Sequence, residues 1–265
     1  MLYHAKEGKI KIKNASFDYI QFGTGKKILL MIQGLNTNRI KGASFSLAYM
    51  YRIFAKEYTV YLFDRRDEVY DGITVKEFAL DIAEAMDVLG LKNADVFGVS
   101  QGGMIAQYLA MERPDLVNKL VLAVTLSKSN EIVVNTVQNW ISMTQQGNFK
   151  ALVLDMAEKM YSEEYVKRYR LAMPLLAVVQ KPKDVERFLI LAKSCFTCST
   201  YDELEKIKCP VFVIGGKQDK VVGGDASEEM AEKLHCKIYM YENLGHAAYE
   251  EATDFNERIL EFLKG

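Results

Sequence analysis

The sequence predicts an α/β fold, with an eight-stranded, mostly parallel sheet, helices on both faces of that sheet and a helical cap inserted after strand six. Short runs rich in Val, Ile and Leu recur along the chain and alternate with helical patterns, which is typical of a parallel sheet covered on both faces. Between Leu126 and Ile207 the strand signal disappears and helical patterns replace it. With 265 residues, 49% of them apolar and 26% charged, the chain can bury such a core.

The chain opens with two segments in which apolar and polar residues alternate, the pattern of half-buried strands. They are Lys9 to Lys13 and Phe17 to Phe22, and Asn14-Ala15 joins them. Two alternating runs with a turn residue between them predict an antiparallel hairpin. We therefore expect two edge strands ahead of the parallel part of the sheet.

Six continuous apolar runs follow, each short enough for a strand that is buried on both faces. They are Ile28 to Ile32, Thr59 to Phe63, Ala94 to Val99, Leu120 to Val124, Val211 to Ile214 and Lys237 to Tyr241. The clearest helix lies between the second and third of these runs. It begins at Thr74, where Thr74 and Glu77 form a capping-box pattern, and Gly90 ends it as a left-handed cap.

The all-helical stretch predicts a smaller unit within the chain. Its helical patterns cover Thr136 to Thr144, Ala151 to Met160, Glu163 to Met173 and Asp184 to Ala192. We expect residues 127–207 to form a cap (lid) subdomain and residues 1–126 and 208–265 to form the core domain. The cap is rich in large side chains, namely Trp140, Met143, Met156, Met160, Tyr161, Tyr165, Tyr169 and Met173. The sequence leaves open whether they line an apolar cavity or pack the cap helices against each other.

A Gly-x-Ser-x-Gly sequence, Gly98 to Gly102, joins the strand run that ends at Val99 to a helical pattern that begins at Gly103. The motif is common enough by chance that this strand-to-helix context decides its meaning. A sharp turn of this kind strains the backbone of the serine and leaves room only for small residues two positions before and after it. Gly98 and Gly102 meet that demand, so the sequence predicts Ser100 as a nucleophile.

A serine hydroxyl needs a base to take its proton, and histidine is the obvious candidate. Of three histidines, His246 lies in a loop after the last predicted strand, at the end of the sheet where open α/β folds bind ligands. The imidazole in turn needs a carboxylate to orient it. Asp219, in the loop after Val211 to Ile214, lies at the same end of the sheet, although it could be only a helix cap, as could Asp225. The chain order Ser100, Asp219, His246 fits this kind of fold.

Negative charge that develops during acyl transfer needs two hydrogen-bond donors. One should be the backbone N–H of Gln101, at the start of the helix after the nucleophile. The other should come from Gln33-Gly34-Leu35, the loop after the third strand, and we assign it to the N–H of Leu35.

Together these motifs resemble the α/β-hydrolase fold family, in its lidded serine-hydrolase form, over nearly the whole chain. The resemblance rests on Gln33-Gly34, Phe63-Asp64-Arg65-Arg66, Gly98 to Gly103, Pro114 after the next helix, Gly216 to Asp219 and Gly245-His246. Two features depart from the family pattern. Gln33 stands where a histidine is usual, although an amide can still hold the loop by hydrogen bonds. The residues 67–71, Asp-Glu-Val-Tyr-Asp, replace the usual Gly-x-Gly-x-Ser.

The resemblance implies an esterase- or lactonase-like enzyme that attacks a carboxylic ester or related acyl substrate, small to medium in size and mainly apolar, and forms an acyl-enzyme. Ser100 argues against relatives that open haloalkanes or epoxides, because those carry an aspartate at this position. Carbon-carbon bond hydrolases, acyltransferases and perhydrolases share the triad and stay open as alternatives. So does a non-catalytic, ligand-binding member of the fold.

The composition calls for no partner besides a small-molecule substrate. The 34 basic and 35 acidic residues nearly cancel, which argues against nucleic acid and an anionic membrane. Residues 1–13 lack the apolar stretch of a secretion signal, and no segment has transmembrane length, so we expect a cytoplasmic protein. Cys195 and Cys198 have metal-ligand spacing, but no second pair follows, so we expect no metal or cofactor and take them, with Cys209 and Cys236, as reduced packing residues. The oligomeric state stays open.

Overall fold

A computed structural model describes residues 2–173, 175 and 180–265. Its strands form one eight-stranded sheet in the order β1-β2-β4-β3-β5-β6-β7-β8. They are β1 (Lys6–Lys11), β2 (Ser16–Phe22), β3 (Lys27–Ile32), β4 (Tyr58–Phe63), β5 (Ala94–Val99), β6 (Val117–Ala123), β7 (Val211–Gly216) and β8 (Lys237–Tyr241). β2 pairs antiparallel with β1 and with β4, and the other neighbouring pairs are parallel. The predicted eight-stranded, mostly parallel sheet is confirmed.

The α-helices that the described residues form surround this sheet. They are α1 (Ser44–Met50), α2 (Val75–Leu89), α3 (Gln101–Glu112), α4 (Glu131–Gln145), α5 (Phe149–Met160), α6 (Glu163–Tyr169), α7 (Val185–Ser194), α8 (Ala226–Leu234), α9 (Ala248–Glu251) and α10 (Phe255–Lys264). Short 3-10 helices span Leu2–His4, Arg52–Phe54, Cys195–Thr197 and Tyr201–Lys206. Within the described ranges, no helix is both long enough and apolar enough to cross a membrane.

Both faces of the sheet are buried, because successive side chains of a strand point to opposite faces. On β3, Leu30 and Ile32 belong to the core shared with α2 and α3. Leu29 and Met31, on the opposite face, belong to the core shared with α1 and α10. All four side chains are almost fully buried. The expected helices on both faces of the sheet are therefore confirmed.

The first two strands differ from the expectation in position and in pairing. β1 ends at Lys11, and the N–H of Ile12 donates to the carbonyl of Ala15 at 2.8 Å, so Ile12 and Lys13 belong to the turn. β2 is not an edge strand, because it has β1 on one side and β4 on the other. The alternation in the sequence reports which face a side chain occupies; it carries no information on how many neighbours the strand has.

The predicted capping box of α2 is confirmed. The hydroxyl of Thr74 accepts a hydrogen bond from the N–H of Glu77 at 3.1 Å, and the carboxylate of Glu77 accepts one from the N–H of Thr74 at 3.0 Å. Gly90 ends the helix with φ at 68°, in the left-handed region. These bonds satisfy orphan donors at the helix start and fix where α2 enters the core.

The described residues between β6 and β7 form the helices α4 to α7 and two of the 3-10 helices. α4 begins at Glu131 and not at Thr136, because the side chain of Asn130 caps it there. α6 ends at Tyr169, short of the expected end at Met173, and residues 174 and 176–179 lie outside the described part. The two ends of the segment meet where the N–H of Thr200 donates to the carbonyl of Ser127 at 2.7 Å.

Candidate active site

Ser100 occupies the turn between β5, which ends at Val99, and α3, which begins at Gln101. Its backbone has φ 53° and ψ −121°, a conformation that costs a non-glycine residue about 1–3 kcal/mol. Both backbone groups of Ser100 are held: its N–H donates to the carbonyl of Ala123 at 2.9 Å, and its carbonyl accepts from the hydroxyl of Thr125 at 2.7 Å. The surrounding structure therefore fixes the strained turn from both sides.

The glycines that flank Ser100 are required by close backbone contacts. A Cβ atom on Gly98 would lie 2.5 Å from the carbonyl oxygen of Gly102. A Cβ atom on Gly102 would lie 2.0 Å from the carbonyl oxygen of Ile32, at the end of β3. Neither distance is compatible with a side chain, so the motif's two glycines allow α3 to begin directly against the sheet.

In the structure, His246 and Asp219 lie next to Ser100. The Nε2 atom of His246 lies 2.9 Å from the Oγ atom of Ser100, and its Nδ1 atom lies 2.7 Å from the Oδ2 atom of Asp219. His246 is 3% exposed and Asp219 is 6% exposed. The hydrogen bond between His246 and Asp219 is buried, which strengthens it, whereas the one between His246 and Ser100 is partly buried at the cavity wall.

Asp219 is held by two further hydrogen bonds. Its Oδ1 atom accepts from the backbone N–H groups of Val221 at 2.8 Å and Val222 at 2.9 Å. One carboxylate oxygen thus serves the loop, and the other is left for His246. Asp225, by contrast, stands at the start of α8 and makes no side-chain capping hydrogen bond.

The expected oxyanion donors stand on both sides of the serine. Gln101 is the first residue of α3, and Leu35 lies in the loop after β3, whose Gly34 passes so close that a Cβ there would be 3.2 Å from the Cβ of Ser100. Among the described residues, neither the N–H of Leu35 nor that of Gln101 donates a hydrogen bond. Unpaired donors at a helix start and beside the serine are what an oxyanion requires.

Local contacts explain both departures from the family pattern. The side-chain carbonyl of Gln33 accepts a hydrogen bond from Asn36 at 2.5 Å, within the loop itself. In the loop after β4, Asp67 accepts from Ser16 at 2.8 Å and pairs with Arg39 at 2.6 Å. Polar side chains therefore hold both loops.

Ser100 and His246 line a cavity of about 300 Å³. Much of its remaining wall is apolar, including Leu47, Met50, Trp140, Met156, Met160 and Val221. Of the large side chains noted between β6 and β7, Trp140, Met156 and Met160 thus face the cavity. The tyrosines behave differently: Tyr161 stacks on Tyr165 with ring centroids 4.3 Å apart, and Tyr165 contacts Tyr169 at 4.5 Å.

Cys195 and Cys198 are buried free thiols. Burial raises the pKa of Cys195 to about 11 and that of Cys198 to about 12, so both are protonated at neutral pH. In the part of the chain that the structure describes, no three His, Cys, Asp or Glu side chains form a group that could hold a metal ion.

Sequence reasoning missed three side chains around the site. Thr125 holds the carbonyl of Ser100, Asp155 accepts from the indole N–H of Trp140 at 2.7 Å, and Arg65 lies buried behind the loop of Gln33. Thr125 and Asp155 belong to no motif, and nothing in the Phe63-Asp64-Arg65-Arg66 motif indicates that Arg65 is buried. Burial of an arginine is the hardest of these features to predict from the sequence, since arginine is mostly found exposed.

Residues 27–253 match the family model of the α/β hydrolase fold. The chain is 21% identical over 273 residues to 3-oxoadipate enol-lactonase 2 of Acinetobacter baylyi, covering 99% of this chain and 98% of that protein. It is 24% identical over 273 residues to 2-hydroxy-6-oxononadienedioate/2-hydroxy-6-oxononatrienedioate hydrolase 1 of Dechloromonas aromatica, covering 96% and 94%. Among solved structures, the enol-lactonase from Burkholderia xenovorans LB400 is similar with a TM-score of 0.83 at 17% identity, covering 97% of this chain and 100% of that one. With more than half of its residues matched, the chain belongs to the α/β hydrolase fold family.

Proposed function

We propose that this member of the α/β hydrolase fold family is a serine hydrolase that cleaves a carboxylic ester or related acyl substrate through Ser100, His246 and Asp219. The observation that carries the proposal is the continuous hydrogen-bonded line of these three side chains, at 2.9 Å and 2.7 Å, with Ser100 and His246 on the wall of a cavity. A buried acid that orients an imidazole, which in turn contacts a hydroxyl, is the arrangement that activates a serine.

The reaction begins when the Oγ atom of Ser100 adds to the substrate carbonyl carbon while its proton passes to Nε2 of His246. The carbonyl oxygen becomes an oxyanion and accepts hydrogen bonds from the N–H groups of Leu35 and Gln101. The intermediate collapses, the bond to the leaving group breaks, and the leaving group takes the proton from His246. Water then adds to the acyl-enzyme with His246 as its base, which releases the acid and restores Ser100.

Asp219 supports this cycle from behind the imidazole. Its Oδ2 atom accepts the Nδ1–H of His246, which leaves Nε2 free to take the proton of Ser100. When His246 becomes a cation, the carboxylate stabilises it. The N–H groups of Val221 and Val222 keep the carboxylate in place through both states.

The cavity supports a small to medium, mainly apolar substrate. Its volume of about 300 Å³ is at the small end of the range for ligand pockets, and the part of its wall that α4 and α5 form is apolar, although polar residues 36–39 and Glu250 also line it. Similarity to an enol-lactonase over 99% of the chain favours including lactones, which are cyclic esters, among the candidates.

We further propose that residues 127–207 are a cap subdomain over a core of residues 1–126 and 208–265. Trp140 on α4 and Met156 and Met160 on α5 line the cavity opposite Ser100 and His246. The N–H of Ala247, next to the proposed base, donates to the carbonyl of Met160 at 2.7 Å. The cap would therefore close the substrate cavity and also contact the loop of the base.

The proposal is tested by intact-mass labelling with a fluorophosphonate probe, followed by peptide mapping and turnover of short-chain nitrophenyl esters and lactones. We expect stoichiometric labelling of Ser100 in the wild type, and neither labelling nor turnover in His246→Ala. His235→Asn is the matched control, because His235 ends α8 in the left-handed region, which asparagine also adopts.

Equal ester turnover by the wild type and Ser100→Ala would refute the proposal. Binding of esters without any turnover or labelling would instead favour a non-catalytic, ligand-binding protein. Diversion of the acyl group to added alcohol or thiol, without slower acylation, would identify an acyltransferase.

A further inference from the structure

The side chain of Gln101 does not face the substrate cavity. It is buried, with the residue 1% exposed, although glutamine is usually found at the surface. Its Nε2 group lies within hydrogen-bond distance of three acceptors at the end of α7: the carbonyl of Leu191 at 2.7 Å, the hydroxyl of Ser194 at 3.2 Å and the thiol of Cys195 at 3.2 Å. The amide therefore links the start of α3 to the segment between β6 and β7.

The carbonyl end of the same amide contacts Arg65. The Oε1 atom of Gln101 accepts from Nε of Arg65 at 3.3 Å and from Nη2 at 3.1 Å. The same Nη2 donates to the backbone carbonyl of Gln33 at 2.5 Å. One guanidinium thus bridges the residue after the nucleophile and the loop that carries Leu35.

Arg65 is suited to this bridge because its fork of donors is planar and rigid. The residue is 5% exposed, and burial lowers its pKa to about 10, so it remains a cation at neutral pH. A charge-assisted hydrogen bond is about twice as strong as a neutral one. Leaving the guanidinium without these partners would be costly, which keeps Gln33 and Gln101 at a set separation.

Both proposed oxyanion donors lie within two residues of these contacts. The N–H of Gln101 belongs to the residue whose side chain is fixed, and the N–H of Leu35 follows the fixed carbonyl of Gln33 by two residues. A displacement of about 1 Å at a reacting centre can cost about 10²-fold in rate. The distance between the two donors therefore depends on the Gln101–Arg65 contact.

We propose that the side chains of Gln101 and Arg65 are positioning residues that set the geometry of the oxyanion site and tie it to α7. This inference rests on the proposed function of Ser100 as a nucleophile. It goes beyond the Gly-x-Ser-x-Gly motif, which leaves the residue after the serine open.

A purely structural role of Gln101 is the competing explanation, and the chain offers a matched control for it. Gln107 is also a buried glutamine of α3. It donates to the carbonyl of Leu126 at 3.0 Å and accepts from the hydroxyl of Thr200 at 2.5 Å. Its contacts thus join α3 to the same inserted segment, but they lead to neither oxyanion donor.

The experiment compares kcat, KM and the thermal midpoint for Gln101→Met, Gln101→Glu and Gln107→Met, with a nitrophenyl ester that the wild type hydrolyses. Both methionine variants lose a buried amide and should lose stability alike. We expect kcat to fall by about 10- to 100-fold in Gln101→Met with KM within about twofold, because oxyanion contacts act in the transition state. In Gln107→Met, kcat should stay within about twofold of the wild type.

Gln101→Glu separates the two functions of the amide, which accepts hydrogen bonds from Arg65 and donates one to Leu191. The carboxylate still accepts from Arg65 but can no longer donate to Leu191, so kcat should fall, but less than in Gln101→Met. Should Gln101→Met fail to fold, Arg65→Lys takes its place: one ammonium cannot serve Gln33 and Gln101 in the planar fork geometry, and kcat should fall at unchanged KM.

Equal kcat in Gln101→Met and Gln107→Met, or a rise in KM alone, would overturn the inference. Failure of the proposed function is recognised separately. In that case the wild type neither hydrolyses esters nor is labelled at Ser100, or Ser100→Ala hydrolyses esters as fast as the wild type. If Ser100 is active and only the difference between the two glutamine variants is missing, the positioning role alone is rejected.

Discussion

Replacement of Asp219 by asparagine should stop catalysis without unfolding the protein. Oδ1 of Asp219 accepts two backbone N–H groups, so the side-chain carbonyl of asparagine must take that place. The NH₂ group then occupies the position of Oδ2, 2.7 Å from Nδ1 of His246. A donor at this position forces Nδ1 to act as acceptor and puts the proton on Nε2, facing Ser100. The imidazole then cannot accept the proton of the serine.

The wrong tautomer should lower kcat by about 10⁴-fold, which corresponds to about 5.4 kcal/mol of transition-state stabilisation. The free energy of unfolding should change by less than about 1 kcal/mol, because the loop N–H groups keep an acceptor. Asp219→Ala would instead leave the N–H groups of Val221 and Val222 unpaired, at about 1–3 kcal/mol each. Ester turnover and urea unfolding measure the two effects separately.

Asp225→Asn is the matched control, since it makes the same substitution six residues further on, at the start of α8. Its kcat should equal that of the wild type. A kcat for Asp219→Asn within tenfold of the wild type would refute the assignment of Asp219 as the acid that orients His246. Equal losses in both variants would point to a disturbed loop.

Three further perturbations test the fold and the cavity. Gly102→Ala places a methyl group 2.0 Å from a backbone carbonyl and should cost about 3 kcal/mol or more in urea unfolding, whereas Gly42→Ala, with φ at 86° but open space around it, should cost about 1 kcal/mol. Burial raises the pKa of Asp81 to about 6 even though Arg66 pairs with it at 3.1 Å, so ionisation of Asp81 destabilises the fold as pH rises from about 4 to 6. Urea unfolding should show Asp81→Asn to be more stable than the wild type at pH 8 and equally stable below pH 4. Trp140 is the single tryptophan and lines the cavity, so a non-hydrolysable ester analogue should change its fluorescence, and an unchanged spectrum at saturation would place the ligand elsewhere.

The parts of the fold that could be predicted are those set by local chemistry. The capping box at Thr74 and Glu77, the left-handed Gly90 and the glycines around Ser100 each follow from backbone demands that few residues meet. The strand pairing could not be read in the same way. β2 looks like an edge strand in the sequence, yet it has β4 as a second neighbour, because side-chain alternation does not report pairing.

The candidate site divides along similar lines. Ser100, Asp219 and His246 could be proposed because the Gly-x-Ser-x-Gly turn, an aspartate and a histidine each follow a predicted strand, in the chain order that this kind of fold uses. The side-chain roles of Gln101 and Arg65 could not, since glutamine and arginine are ordinary surface residues, and only the packed structure shows them buried and paired with each other. Contacts between distant segments determine their roles.

The position of the inserted segment between β6 and β7 has a consequence for how the protein is made. During synthesis Ser100 leaves the ribosome first, then the inserted helices, and Asp219 and His246 only after them. At about 5–20 residues per second, the ribosome reaches His246 on the order of ten seconds after it has added Ser100. A nascent chain stalled before Asp219 would carry the proposed nucleophile Ser100, its two glycines and both proposed oxyanion donors, yet lack the proposed acid and base that would activate the hydroxyl. The order of the segments thus delays activity until the cavity has its walls.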